Sequence, residues 1–447
     1  MIAKYGLNSL RIMGLLACAA GVLGFSFASH AKEGRDIPSA PHGAASMDYQ
    51  QKELDRIMGK ADVTKPPASF DPVVWNAFIP KDNKVTPERV ELGRKLYFDL
   101  RLSRDGTVSC ATCHDVTRGF TDQKKTSEGI DGQIGRRNAP TTLNIALFQT
   151  LFWDGRSPSI EHQARLPIIN PIEMGMPDGK EAAREISGDP EYQKAFKTAY
   201  GREINYEDIG GAIAAFERTL IFMDSPFNRF LQGQEKAISE EAKRGWALFN
   251  GKARCVTCHP MNPSSPLGTD NRFHNVGVSA RHQDFEGLAK NVLDALKKDK
   301  SDETLDRLAL TTDMSEIGRF MVTKNRSDIG AFKTPLLLNI SITPPYMHDG
   351  SLKTLWDVMD HYNKGGEPNL FLDGGMEALD LTEGEIDEIV ALLFTMTDDR
   401  FAEENKKQSE EQKALAQKER PFRENDVASR KSLPFEKRVA GPQGLKP

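Results

Sequence analysis

The stretch Cys110-Ala-Thr-Cys113-His114 decides the fold, and its pattern recurs at Cys255-Val-Thr-Cys258-His259. Two cysteines separated by two residues, with a histidine directly after the second, form the attachment signal for c-type haem. Each thiol forms a thioether to the porphyrin, and the histidine reaches the iron from the proximal side. A lone C-x-x-C would also fit a redox disulfide or half a zinc site. The histidine weakens those alternatives and the repetition nearly removes them, so the sequence predicts two covalently bound haem c groups.

The amino terminus is typical of a secretory signal. Residues 1–31 carry Lys4 and Arg11 but no acidic residue, and an apolar stretch spans residues 12–28. In Ser29-His30-Ala31, small residues stand at the −3 and −1 positions for cleavage after Ala31. We therefore expect a cleaved signal peptide and a periplasmic protein. Because the apolar stretch is near the length that spans a membrane, an uncleaved anchor stays an alternative.

The cysteine count agrees with export. Of five cysteines, cleavage after Ala31 removes Cys18, and all the others lie inside the two C-x-x-C-H motifs. No cysteine is then left for a disulfide, as expected of an exported protein whose cysteines attach a cofactor. Lipid attachment at Cys18 is a further alternative. The formal net charge of −5 shows no basic excess, which argues against nucleic acid as a partner.

The segments that precede the two motifs are similar to each other. One helix is predicted to begin at Thr86, with Pro87 in its first position, and another at Ser239. Gly93 and the Leu-Tyr-Phe after it align with Gly245 and the Leu-Phe after it, which we interpret as a duplication of one small helical haem domain. Strand signals are few, so the fold class is mainly α. Further helices are predicted at 159–164, 180–186, 190–200, 206–223, 354–362 and 382–396.

The length of 447 residues suggests two or three domains. Residues 32–70 are polar and rich in Pro, Ala and Ser, as is typical of a linker. We predict an amino-terminal cytochrome domain at 71–235 and a carboxy-terminal one at 236–399. Within the second, the charged residues 281–315 are expected to form a solvated helical insertion. Residues 400–447 are highly charged and poor in large apolar side chains, which predicts a helical or disordered extension.

Several short strings follow one another in an order that resembles the di-haem bacterial cytochrome c peroxidase family, which includes the MauG-type enzymes. Each string alone is weak, but their order and spacing over about residues 70–398 are highly specific. The resemblance implies two mostly α c-type cytochrome domains that face one another, each with one covalent haem. Besides the motifs themselves, the strings are Leu96-Tyr97-Phe98-Asp99, Arg101-Leu102-Ser103-Arg104-Asp105-Gly106, Arg137-Asn138-Ala139-Pro140-Thr141, Phe152-Trp153-Asp154-Gly155-Arg156, Asn170-Pro171-Ile172-Glu173-Met174, Phe273-His274-Asn275-Val276-Gly277 and Pro344-Pro345-Tyr346-Met347-His348-Asp349-Gly350-Ser351.

The resemblance implies a peroxide site at the amino-terminal haem. In family members a glutamine and a glutamate line its distal side, and by resemblance these are Gln163 and Glu173, with Pro167 between them in the chain. Glu173 would act as general acid/base between the two peroxide oxygens, and Gln163 would orient peroxide. The alternative for Glu173 is a solvated carboxylate.

One departure from the family pattern concerns a histidine. Many members carry one that occupies the first iron in the resting oxidised state. This chain has no histidine from Asp115 to Glu161, and His162 lies in the wrong part of the pattern for that role. The first iron is therefore expected to stay open without reductive activation. The departure points towards the MauG-type branch and towards members that are constitutively active.

The second haem needs a sixth ligand in this family, which is a methionine in many members and a tyrosine in MauG-type enzymes. The matching position is Tyr362, and Met359 and His361 are alternatives on the same predicted helix. The resemblance also assigns Trp153 to a position between the two haems. There an indole can relay an electron, whereas the alternative is a core aromatic.

A calcium ion between the two domains is also implied by the resemblance. Its ligands would be Asn138, Thr343 and Pro345, whose oxygen atoms suit a hard cation. The alternative is that these are turn residues without a metal.

These assignments predict an exported di-haem c-type peroxidase. It would reduce hydrogen peroxide with electrons from a small periplasmic donor, such as a cytochrome c or a cupredoxin. A rival within the family is a MauG-type oxidase that uses ferryl haem to oxidise aromatic residues of a partner protein. A rival from another class is a di-haem electron carrier without catalysis, and a homodimer is left open.

Overall fold

Helices build this fold, as the sequence predicts. The structure is a computed structural model that describes residues 41–59, 62, 65, 72–262, 267–280 and 284–419. The predicted signal peptide, the start of the predicted linker, positions 281–283 of the insertion and residues 420–447 lie outside the described residues. All described residues belong to one compact unit. None of the helices in these ranges is long and apolar enough to cross a membrane.

The helices run along the whole described chain. Those of the first half are α1 (Met47–Met58), α2 (Pro72–Ala77), α3 (Pro87–Tyr97), α4 (Cys110–Cys113), α5 (Ile160–Ile169), α6 (Gly179–Ser187), α7 (Pro190–Tyr200), α8 (Tyr206–Glu217) and α9 (Pro226–Leu231). Those of the second half are α10 (Glu240–Asn250), α11 (Phe285–Lys298), α12 (Asp302–Thr311), α13 (Phe320–Thr323), α14 (Leu355–Asn363), α15 (Glu383–Phe394) and α16 (Ala402–Glu419). Two short strands, β1 (Phe273–His274) and β2 (Phe332–Lys333), pair antiparallel. The mainly α fold class is confirmed.

Side-chain caps fix where the helices before the two motifs begin. The Thr86 hydroxyl accepts a hydrogen bond from Arg89 N at 3.3 Å, and Pro87 opens α3. The Ser239 hydroxyl accepts from Ala242 N at 3.2 Å and caps α10. Both predicted helix starts are confirmed.

The repeated glycine has the same role in both halves. Helix α3 packs against α8, and a Cβ on Gly93 would overlap the carbonyl oxygen of Ala212. Helix α10 packs against α15, and a Cβ on Gly245 would overlap the carbonyl oxygen of Glu388. Only glycine allows a backbone to approach this closely. Both halves therefore contain the same close helix pair, which agrees with the interpretation as a duplication.

Each haem motif lies beside a hydrophobic core of its own. The first core contains Tyr97 and Phe216, and Cys110 packs against it. The second core contains Phe249, and Cys255 packs against it. This separation agrees with two haem-binding halves, whereas the domain borders at 235 and 399 stay a prediction.

The predicted linker, 32–70, contains a packed helix in its described part. On α1, Leu54 and Ile57 are buried in the first core. Gln50 is buried as well, and its side-chain amide donates to the carbonyl oxygen of Ala111 at 3.1 Å. The structure differs from the prediction here because an amphipathic helix needs few apolar residues to bury one face.

The carboxy-terminal extension is predicted to be helical or disordered, and its described part begins as a helix. Its helix α16 is anchored by a buried glutamine. Gln412 donates to Ser341 O at 2.9 Å and accepts from the Tyr346 hydroxyl at 3.2 Å and from Leu355 N at 3.0 Å. Polar contacts thus hold a segment that has few large apolar side chains.

The charged insertion is helical, as predicted, but only one side of it is solvated. Helices α11 and α12 form a small core with the segment that follows them, in which Val292, Leu308, Ile317 and Met321 are buried. Asp306 on α12 is also buried, with 3 % of its surface exposed. The prediction of a solvated insertion is therefore incomplete, because charge density alone does not reveal which charges find a buried partner.

Candidate active site

The first C-x-x-C-H motif forms one helical turn, α4, with its histidine directly after it. Ser109 caps the turn in a capping box with Thr112, and His114 N donates to Cys110 O at 2.9 Å. His114 Nδ1 lies 3.3 Å from Phe120 O, so it donates there and leaves Nε2 for a metal. Burial lowers the pKa of His114, which favours the neutral ring that ligates iron.

A cavity opens beside this motif, and we call it the first cavity. Its lining includes Cys110, Cys113 and His114 together with Gln163 and Glu173. The structure therefore brings the two residues assigned to peroxide to the first haem motif, although they lie at least 49 residues away in the chain.

Backbone hydrogen bonds fix the turn that carries Glu173. Glu173 N donates to Asn170 O at 3.2 Å, and Glu173 O accepts from Ile130 N at 3.0 Å. A Cβ on the neighbouring Gly129 would overlap Ile172 O, so glycine is required where the two segments meet. The backbone of the turn that carries the carboxyl group is thus tied to the neighbouring segment.

The electrostatic surroundings favour the protonated form of Glu173. Burial raises the pKa of its carboxyl group, and the charge of Asp306 raises it further, whereas Arg156 acts in the opposite direction. A carboxyl group with a raised pKa that lines a cofactor cavity is suited to accept and return a proton near neutral pH.

His162 is held by two side chains that do not belong to the first motif. Its Nδ1 lies 2.9 Å from the Ser157 hydroxyl and its Nε2 lies 2.8 Å from Asp302 Oδ2. Both ring nitrogens are therefore engaged. Gln163, the next residue on α5, is the one that lines the first cavity.

The second motif begins on a 3₁₀ turn, Cys255–Thr257. His259 N donates to Cys255 O at 2.8 Å, and His259 Nδ1 lies 2.7 Å from Gly268 O. As in the first motif, Nε2 is left for a metal and burial lowers the pKa of the ring. Cys255, Cys258 and His259 line a second cavity.

The three candidates for the sixth ligand of the second iron have different surroundings. Tyr362 lines the second cavity. Met359 is buried in the second core, and His361 Nε2 lies 2.8 Å from Val276 O. Of the three, the tyrosine is the one whose position fits a ligand in the second cavity.

Trp153 lies in the wall that the two cavities share. It lines both of them, as do Asn138 and Lys333. The indole Nε1 donates to Asn138 O at 2.9 Å, and Lys333 N donates to Trp153 O at 2.8 Å. The indole is therefore held by a hydrogen bond in the wall between the two cavities.

Two buried cations suit the carboxylate groups that a haem carries. Arg137 lines the first cavity, and its Nε and Nη1 have no hydrogen-bond partner among the described residues. Burial lowers the pKa of Lys333 to about 7, although its ammonium group donates to Thr150 O at 2.8 Å. Two cysteine pairs, two oriented histidines and these cations together fit two haem groups, which would satisfy the unpartnered guanidinium nitrogens.

The residues assigned to calcium line the second cavity together. Asn138, Thr343 and Pro345 all contribute to its lining. Asn138 Nδ2 donates to Lys124 O at 2.9 Å, which leaves its side-chain oxygen to face a cation. The calcium site itself stays a prediction.

His274 is a residue of the second cavity whose role the sequence did not reveal. Its Nδ1 lies 2.6 Å from Asp373 Oδ2 and its Nε2 lies 2.9 Å from Asp270 Oδ2. A hydrogen bond with Cys258, and then the two carboxylates, raise the pKa of His274 to about 10. The cluster would border a haem attached to the second motif, because Cys258 belongs to that motif. Its partners lie 4 and 99 residues from the histidine, and the longer separation gives no sequence signal.

We expect the mature protein to carry two haem groups through four thioethers. The reason is that each cysteine pair lines a cavity beside an oriented histidine. Intact mass after acid–acetone extraction should show two retained haem groups. Retention of one group or none would contradict the two-haem interpretation.

Comparison with known proteins gives consistent matches. Residues 87–236 match the family model described as di-haem cytochrome c peroxidase. The chain is 38% identical over 319 residues to the methylamine utilization protein MauG of Methylorubrum extorquens, covering 71% of this chain and 80% of that protein. It is 34% identical over 320 residues to the cytochrome c551 peroxidase of Nitrosomonas europaea, covering 71% and 83% respectively.

A solved structure agrees with these relatives. It is the crystal structure of a MauG-like protein associated with microbial copper homeostasis, with a TM-score of 0.60 and 31% sequence identity. The match covers 72% of this chain and 92% of that protein. Because relatives at this identity align over most of their own length, and both C-x-x-C-H motifs line cofactor cavities, the chain belongs to the di-haem cytochrome c peroxidase family of oxidoreductases.

Proposed function

We propose that the protein is a periplasmic di-haem c-type peroxidase, which reduces hydrogen peroxide to water with electrons from a small redox protein. The observation that carries this proposal is the presence of Glu173 and Gln163 in the same cavity as the first haem motif. An electron carrier would have no use for a carboxyl group with a raised pKa in the lining of its cofactor cavity.

The chemistry needs one proton to move along the peroxide. Reduction of one peroxide to two waters consumes two electrons and two protons. A haem held by Cys110, Cys113 and His114 would supply a redox-active iron with one open coordination position. The Glu173 carboxylate would accept the proton of the near oxygen and return it to the far oxygen as the O–O bond breaks, while the Gln163 amide would orient peroxide.

Electrons would enter at the second cavity and reach the first through the wall they share. Trp153 gives this path an aromatic ring, whose indole N–H donates to Asn138 O and whose backbone carbonyl accepts from Lys333 N. The donor would be a small periplasmic protein such as a cytochrome c or a cupredoxin, since the amino terminus favours export. A calcium ion held by Asn138, Thr343 and Pro345 would stabilise this same wall.

We expect the first iron to be high-spin, either five-coordinate or weakly water-bound, in the resting oxidised protein. The reason is that no histidine occurs between Asp115 and Glu161, and His162 is engaged by Ser157 and Asp302. EPR of the oxidised protein, followed by addition of peroxide, measures this directly. Turnover should begin without prior half-reduction.

The same EPR experiment separates the rival classes. Two low-spin signals, together with a lag that only one-electron reduction removes, would contradict the open first site. Two low-spin signals without any reaction with peroxide would favour the electron carrier.

A MauG-type oxidase is the second candidate, and Tyr362 supports it. The tyrosine lines the second cavity, whereas Met359 is packed in the core. The relatives include both MauG proteins and peroxidases, so kinship supports either activity. Steady oxidation of a reduced cytochrome c or cupredoxin by peroxide would favour the peroxidase. Failure of such donors, with oxidation of aromatic residues in a partner protein, would favour the oxidase.

A further inference from the structure

The charged insertion reaches the first cavity. Leu310 of α12 contributes to the lining, and its carbonyl oxygen accepts from Arg136 N at 3.1 Å. At the start of the same helix, Asp302 binds His162 on α5. Helix α12 thus contributes to the wall of the first cavity and contacts α5, the helix that carries Gln163.

Asp306 is the buried charge of this helix, and both its oxygens have partners. Oδ1 accepts from Arg156 Nε at 2.9 Å and from Arg156 Nη2 at 2.6 Å. Oδ2 accepts from the side-chain amide of Asn170. The carboxylate therefore joins two segments that lie 150 and 136 residues away from it in the chain.

Each partner belongs to a segment of the proposed active site. Arg156 ends the loop that carries Trp153, and it also binds Asp154 at 3.0 Å. Asn170 opens the turn that carries Glu173: its side-chain oxygen accepts from Ile172 N at 3.1 Å. The carbonyl oxygen of Asn170 accepts from the backbone N–H of Glu173 at 3.2 Å.

We propose that Asp306 is a positioning residue that holds the Glu173 turn and the Trp153 loop together at the first cavity. The proposal deepens the peroxidase function and rests on it as far as the role of Glu173 is concerned. It assigns part of the peroxide site to the insertion, a segment whose composition predicts only a solvated surface.

The charges around Glu173 make the consequence measurable. Arg156 faces it from the Trp153 loop and Asp306 faces it from α12, while the Cys113 thiol becomes a neutral thioether on haem attachment. Removal of the negative charge of Asp306 leaves the positive charge of Arg156 as the main charge that acts on Glu173. Ionisation of Glu173 would then become easier, so its pKa would fall.

Asp306→Asn tests the anchor with little change in shape. An amide has one acceptor oxygen, which the charged Arg156 will retain, so the NH₂ group will face the NH₂ group of Asn170. We expect the backbone amides within residues 170–176, among which Pro171 has none, to exchange with deuterium on the order of tenfold faster in the haem-loaded variant. The matched control is Asp294→Asn, which removes a half-exposed carboxylate that binds Lys290 and Lys297 on the same insertion.

A double variant, Asp306→Asn with Asn170→Asp, supplies the rescue. It restores one donor facing one acceptor and keeps one negative charge at the contact, so exchange of residues 170–176 should return towards the wild-type rate. The rate of reaction with peroxide should rise with pH through the pKa of Glu173. Its midpoint should shift to lower pH in Asp306→Asn and return towards the wild-type value in the double variant.

These experiments distinguish failure of the Asp306 anchor from failure of the catalytic role of Glu173. Wild-type exchange and an unchanged pH midpoint in Asp306→Asn would overturn the proposal. If Asp306→Asn does not fold, a folded double variant supports the anchor, and an unfolded one overturns it. If Glu173→Gln leaves the reaction with peroxide unchanged while Asp306→Asn loosens the turn, the role of Glu173 fails but the anchor stands.

Discussion

Replacement of Glu173 by glutamine is expected to slow cleavage of the peroxide O–O bond by about 10²-fold or more, the size of effect that a positioned acid/base supplies. Glutamine keeps the shape of the side chain but can neither accept nor return a proton. Stopped-flow mixing of the oxidised protein with hydrogen peroxide measures the step directly. Haem content should stay normal, because Glu173 is no part of either C-x-x-C-H motif.

The pH dependence gives this prediction a second measurement. Burial, and then Asp306, raise the pKa of Glu173, so the basic form that accepts a proton becomes more abundant as the pH increases through that pKa. The wild-type rate should therefore rise with pH, and the Glu173→Gln rate should not. Glu185→Gln, an exposed change on α6, is the matched control. An unchanged rate of peroxide consumption in Glu173→Gln would show that another group carries the proton.

The sequence predicted those features of the fold that a few adjacent residues determine. The two C-x-x-C-H motifs and the starts of α3 and α10 each need only a few adjacent residues. The alignment of Gly93 with Gly245 also held, since both glycines admit a close backbone from the paired helix. These signals are short-range, so they can be read without the structure.

Contacts between distant segments could not be predicted in this way. Asp306 looks like one more charge in a charged insertion, and only its partner Arg156, 150 residues away, makes it a buried anchor. The same holds for Gln412 on α16, which binds residues 57 to 71 positions earlier. A buried polar side chain is stable only with its partners in place, and a sequence does not state which partners meet.

For the sixth ligand of the second iron, the sequence left three candidates on one helix, and the structure favours Tyr362. Met359 and Tyr362 lie three residues apart, so they share one face of α14. In the structure the methionine is in the second core and the tyrosine lines the cavity. Burial raises the pKa of the Tyr362 hydroxyl, which opposes a free phenolate. A ferric ion bound to Tyr362 would reverse that preference, because a bound cation stabilises the deprotonated donor.

Tyr362→Met is therefore expected to raise the reduction potential of the second haem, on the order of 0.1 V or more within the ~0.8 V range that axial ligands span. Phenolate favours ferric over ferrous iron, and a thioether does the reverse. A spectroelectrochemical titration measures the potential, and the variant should gain the thioether-to-iron band near the red end of the spectrum. Tyr362→Phe, which offers no ligand atom, is the control and should lack that band. If the wild-type protein already shows the band, a methionine and not Tyr362 is the ligand, and the protein functions with a high-potential second haem.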